Sequence, residues 1–141
     1  MVLFRQAAGG SPIYIYPYIW NIVYNYLVEP HSIFGILSDL TRLRALMLIQ
    51  SEGEACVCEI TFALEESQPK ISRHLALMRD AGMVEPRREG TWMHYRINPD
   101  LPQWAKEIIE QTHARVRDLS PFKGDNKQLA KMSNRPERNC A

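Results

Sequence analysis

The sequence predicts a mainly α-helical chain with one β-hairpin, a winged helix-turn-helix in the order ααααββα that pairs into a dimer. Three observations predict it. Two short apolar-striped segments are separated only by Glu65-Glu66, and the second is opened by Ser67-Gln68-Pro69, the pattern of two helices joined by a brief turn. After Gly82 the apolar period changes from 3.6 to 2 on both sides of Glu89-Gly90, which reads as a hairpin. A last helical stretch carries a broader apolar face than a domain of this size can cover.

The elements follow in order. Ser32 to Gln50 reads as helix with a break near Gly35 or Ser38, and its Leu40, Leu43 and Met47 form one stripe. Gly53 stops it. A short helix runs from about Cys56 to Leu64, with Val57, Ile60 and Leu64 on one face. The next is opened by Ser67 as N-cap, tolerates Pro69 in its first turn, buries Ile71, Leu75 and Met78, and ends at Gly82. Val84 to Arg88 and Thr91 to Ile97 form the hairpin, or wing. Here Met93, Tyr95 and Ile97 alternate with Trp92, His94 and Arg96. The last helix spans Pro102 to about Leu119, and Ala105, Ile108, Ile109, Thr112, Val116 and Leu119 make the apolar face expected to form a dimer contact.

The winged domain is thus placed at 31–119. Residues 120–141 are polar, with Pro121, Gly124, Asn126, Asn134 and Pro136, and are expected to be a disordered tail. Residues 1–30 are expected to be a non-native or disordered extension. The uncharged stretch Ile13 to Leu27 holds five of the six tyrosines and is too short for a spanning helix, which needs about 20 apolar residues. Its residues favour AT-rich codons, so it resembles translated upstream DNA, with a physiological start near Val28. No membrane partner is expected.

Net charge is only +1, so a nucleic-acid surface must be local. Between Gln68 and Arg96 it is: Lys70, Arg73, Arg79, Arg87, Arg88 and Arg96 stand against Asp80, Glu85 and Glu89. On a recognition helix in the major groove of double-stranded DNA, Ser67, Gln68, Lys70, Ser72, Arg73 and His74 would face the bases and phosphates. Gln suits adenine there, and Arg suits guanine. Arg87, Arg88, His94 and Arg96 on the wing would meet the flanking backbone or minor groove.

Three cysteines, an odd number, argue against a disulfide framework and for a reducing, cytoplasmic setting. Cys56 and Cys58 open a helix, where unpaired N–H groups favour thiolate, the form that binds soft metals and metalloids. On a regular helix these positions point about 200° apart, so joint ligation of one ion is expected to unwind the first turn. Ligation and the DNA-competent geometry would then compete. An enzyme reading fails on the residues after Cys58, Glu-Ile-Thr-Phe-Ala-Leu, which offer neither an anion-cradling loop nor an arginine.

Glu54 to Glu59, then Ser67-Gln68-Pro69-Lys70-Ile71-Ser72-Arg73-His74-Leu75, then Trp92-Met93-His94-Tyr95-Arg96 together resemble the ArsR/SmtB family, most closely its arsenical-resistance repressors. The resemblance covers Ile33 to about Leu119 and includes the opening Leu37 to Leu43. It implies a homodimer on an operator of dyad symmetry, with no cofactor required, released when As(III) or Sb(III) binds Cys56 and Cys58. Thr61 stands where the closest pattern has a third cysteine. The third ligand is left open between Cys140, a small cellular thiol and none, with two protein thiolates plus solvent or a small thiol preferred. Cysteines N-terminal to Cys56, which cadmium and lead sensors of the family use, are missing, and His113 lacks the partners of its zinc sensors. The alternative is a thiol-redox or other soft-metal (Cd, Pb, Zn) repressor of the same fold.

Overall fold

The computed structural model describes residues 28–136; the expectations for residues 1–27 and for Cys140 lie outside them. The helical stretch after Glu29 is broken in two, α1 (Pro30–Leu37) and α2 (Leu40–Glu52). Asp39 makes the break, because its extended backbone and its side chain, which accepts from Arg42 N at 2.9 Å, start a new helix. Gly53, at φ 77°, ends α2. Strand β1 (Ala55–Cys56) and α3 (Val57–Leu64) follow. Glu65, in the left-handed region at φ 55°, turns the chain into α4 (Gln68–Asp80). The hairpin is β2 (Val84–Glu89) and β3 (Trp92–Ile97), and α5 (Gln103–Val116) and α6 (Phe122–Ala130) complete the chain.

The winged helix-turn-helix is therefore present, with two additions. The sheet has three strands in the order β1-β3-β2, all antiparallel, with Ala55 opposite Tyr95 and Cys56 opposite His94. The hairpin loop is Gly90-Thr91, one residue later than the spacing suggested, since Glu89 pairs with Trp92. Gly90 has φ 59° in the first loop position, where type II′ turns require glycine. The second addition corrects the expectation of a disordered tail from residue 120: Phe122 and Leu129 are buried on α6, which packs on α3 and α2. Two apolar residues a week of positions apart are too sparse a pattern to announce a helix; it is tertiary burial that holds it.

The core centres on α2, which meets α3, α4, α5, α6 and the sheet. Its middle is buried on every side, from Ala45 through Ile49, while Leu40 of the expected stripe is exposed. Ile71, Leu75 and Met78 of α4 join this core as the periodicity predicts. On α5 only Ala105 and Ile109 are fully buried, and Leu119 beyond it is exposed. Ile108, Thr112 and Val116 are half-buried, which leaves an apolar strip along this helix within the single chain. No helix among the described residues is long and apolar enough to cross a membrane.

Candidate functional site

Cys56 does two jobs at once. It is the last residue of β1 and the N-cap of α3, with φ −75° and ψ 150°. Its Sγ accepts from the Cys58 backbone N–H at 3.3 Å, and its own N–H donates to the Glu59 carboxylate at 3.0 Å. This is a capping box in which a thiol replaces the usual hydroxyl. The sequence expectation that the two cysteines diverge by 200° is corrected here. It assumed that both lie within the helix, whereas an extended cap residue folds its side chain back over the first turn. The thiols are neighbours before anything binds.

Cys58 departs from the expected thiolate. Burial, above all, then the hydrogen bond and charge of Cys56 and the charge of Glu59, push the Cys58 thiol up to about 12. The helix N-terminus favours thiolate by a smaller amount than a buried, acid-flanked position opposes it. Cys56 is 1% exposed and Cys58 half-buried, both reduced. Among the described residues no group of three His, Cys, Asp or Glu side chains is arranged to hold a metal ion. Thr61, where the resemblance leads one to expect a third cysteine, is half-buried, with its hydroxyl shielded from solvent and without a hydrogen-bond partner among the described residues.

On α4 the structure exposes Ser67, Gln68, Ser72 and Arg73 along one face. Lys70 is half-buried and bound to Glu66 at 2.8 Å. His74 departs from the expected surface: it is half-buried and turned toward Asp39, with Nδ1 3.9 Å from the carboxylate. The start of α2 thus occupies the side of α4 on which His74 lies.

On the wing, Arg87, Arg88 and Arg96 are exposed as expected. Arg87 is held by Glu54 at 2.8 Å and Glu89 at 3.0 Å, Arg96 by Glu85 at 2.6 Å, and Arg88 donates to the Gly90 carbonyl at 3.1 Å. His94 is the second correction on this surface. Alternation does place it on the face of Trp92 and Arg96, but it is 1% exposed, and among the described residues neither ring nitrogen has a hydrogen-bond partner. The third strand explains it: β1 extends the sheet past His94, and Cys56 and the Arg87–Glu54 pair close over that face. His94 cannot touch DNA from there.

Sequence reasoning missed the acids that organise both sites. Glu59 completes the cap, and Glu54 ties the residue before β1 to the wing through Arg87. The spacing of Cys56 and Glu59, a cap residue and an acid three positions later, was the available signal for the first. Arg135, which bonds Glu59 and Glu52, gave none.

The family profile described as "Bacterial regulatory protein, arsR family" matches residues 39–85, from the N-cap of α2 into β2. The arsenic resistance transcriptional regulator ArsR2 of Pseudomonas putida is 48% identical over 113 residues, which span 79% of this chain and 96% of that protein. The arsenical resistance operon repressor of Escherichia coli K12 is 44% identical over 110 residues, 71% of this chain and 94% of its own. Among solved structures, HlyU from Vibrio cholerae superposes with a TM-score of 0.53 at 27% identity, covering 66% of this chain and 92% of that one. Members of this family are regulators that bind operator DNA, typically as dimers, and not enzymes. With the recognition helix, the wing and the matched motifs all in place, the chain belongs to the ArsR family and is a winged helix-turn-helix transcriptional repressor.

Proposed function

We propose that this repressor controls an arsenical-resistance operon, binding double-stranded operator DNA as a homodimer and releasing it when As(III) or Sb(III) bonds to Cys56 and Cys58. The observation that carries the reading is the position of Cys56, shared between the cap of α3 and the sheet. The names of the relatives at 44% and 48% identity support the inducer class.

Each thiol condenses with an As–OH group, so that an S–As bond and one water form with no change of oxidation state. Two protein thiolates and a solvent oxygen or small thiol fill three positions. Sγ of Cys56 then no longer serves the Cys58 N–H, and a helix cap worth about 1 kcal/mol is lost. The strain reaches both DNA-contacting elements. α3 packs directly on α4, and β1 is paired to β3 with Glu54 bound to Arg87. Coupling energies of roughly 1–3 kcal/mol, 5- to 150-fold in affinity, are usual for such linkage.

Fluorescence anisotropy of a labelled fragment of the gene's own promoter tests this under reducing conditions, with and without micromolar arsenite. Wild type is expected to lose the DNA on adding arsenite, and Cys56→Ser/Cys58→Ser to bind it equally well and keep it. Release by peroxide with indifference to arsenite would replace the metalloid reading with thiol oxidation. Failure to bind at low salt would overturn the operator claim.

A further inference from the structure

The thiol cap is held from outside the winged domain. Glu59 is 1% exposed, and its carboxylate faces two ways: one oxygen accepts from the Cys56 N–H at 3.0 Å, the other from Arg135 Nε at 3.0 Å. The same guanidinium donates through Nη2 to Glu52 at 2.7 Å. Arg135 therefore bridges the end of α2 and the first turn of α3, on either side of the connection that contains Cys56. The opposite end of α3 is held by the same C-terminal segment. Arg44 binds Asp125 of α6 at 2.9 Å through Nε and reaches the Leu64 carbonyl, the last of α3, at 3.4 Å. From Phe122 to Arg135 the chain straps α3 along its length.

We propose that Arg135 is a positioning residue of the thiol site: the C-terminal strap holds the Cys56–Glu59 cap closed and thereby sets how much inducer is needed to open it. This deepens the reading of Cys56 and Cys58 as the inducer site and rests on it. Arg135 meets the charge of the buried Glu59 carboxylate and fixes the direction of one of its oxygens, while the other accepts from the Cys56 N–H. Without Arg135 the carboxylate is oriented less firmly, and the acceptor of the Cys56 N–H weakens. Inducer capture requires Sγ of Cys56 to leave the Cys58 N–H, so a weaker cap competes less with the inducer. By linkage, whatever loosens the closed cap tightens inducer binding by the same factor.

The test uses the full chain in two backgrounds. In Cys58→Ser/Cys140→Ser, Cys56 is the single thiol, and because it is buried its alkylation by iodoacetamide reports cap opening. In Cys140→Ser, arsenite affinity is measured directly by tryptophan fluorescence. Arg135→Ala is expected to speed Cys56 alkylation and tighten arsenite binding, each by about 5-fold, as for loss of a cap worth about 1 kcal/mol. Arg135→Lys should return both toward wild type. Glu52→Gln, which loosens the guanidinium without touching the cap, should shift both in the same direction by less, and it carries the test if Arg135→Ala does not fold.

Unchanged alkylation in Arg135→Ala would overturn the proposal. So would an increase that merely tracks the fall in the urea unfolding midpoint and is not restored by lysine. If wild type binds no arsenite, it is the inducer assignment that fails, and the alkylation rates still decide whether the strap holds the cap.

Discussion

His94 lies directly across the sheet from Cys56, and both of its ring nitrogens are buried without a hydrogen-bond partner among the described residues, with Glu89 Oε2 at 3.9 Å from Nε2. An imidazole in that position gives up its hydration for little return. An apolar side chain of similar size should do at least as well. His94→Leu is therefore expected to keep or raise stability, by up to about 1 kcal/mol, and to leave operator affinity unchanged. Urea unfolding and the anisotropy titration check the two halves. A loss of affinity as large as that of an exposed wing arginine would put His94 back on the DNA surface. The residue illustrates what a one-dimensional alternation can miss. Period-2 patterning correctly placed His94 on the face opposite Tyr95, but which face is solvated depended on a two-residue strand supplied from forty positions upstream.

At the scale of elements, α6 is the part most dependent on a single polar contact. Asp125 is buried on it and meets Arg44 of α2 through two guanidinium nitrogens, Nε and Nη2, with side-chain exposures of 5% and 18%. The aspartate raises the already high pKa of the guanidinium, its hydrogen bond outweighing the desolvation that opposes it. Removing one member of such a pair leaves the other buried and uncompensated, at about 3 kcal/mol or more. Asp125→Ala should lower the unfolding free energy by that order and free α6, while Asp125→Asn, which keeps one acceptor, should cost less. Limited proteolysis between Leu119 and Lys131 would show the release; resistance equal to wild type would mean that Phe122 and Leu129 suffice. Helix α3 was legible from its stripe, and α4 because its stripe, its first-turn proline and the glycine after it agree with one another. The wing was legible because its turn needs glycine. α6 was not, since Phe122, Asp125 and Leu129 make sense as one face only once Arg44 is known to lie opposite. The thiol site was half legible: the pair could be named, but the strand-to-helix cap that brings the two sulfurs together is a tertiary feature.

Over the whole molecule, the cationic face proves less free than its residue count suggests. Lys70 is paired with Glu66, Arg87 with Glu54 and Glu89, and Arg96 with Glu85, all within 3.0 Å. Arg73, on the exposed face of α4, makes no ion pair among the described residues. DNA binding must then exchange some internal pairs for phosphates, whereas Arg73 has nothing to give up. Each phosphate neutralised adds about 0.9 to the slope of log Kobs against log salt. Arg73→Ala is thus expected to flatten the slope by about 0.9 per protomer, about 1.8 for a dimer. Arg96→Ala should flatten it by less, because Glu85 already holds that guanidinium. The anisotropy titration repeated at several salt concentrations measures both. Equal slopes for the two variants would mean that Arg96 abandons Glu85 for phosphate as readily as a free arginine. Arg87 stands apart from both, because one of its acids is Glu54, two residues before Cys56. An Arg87 drawn to phosphate lets go of the connection that leads into the thiol cap. Under the proposed function, a DNA-bound wing and an inducer-bound cap would pull on one short segment, Glu54 to Cys56, from opposite ends.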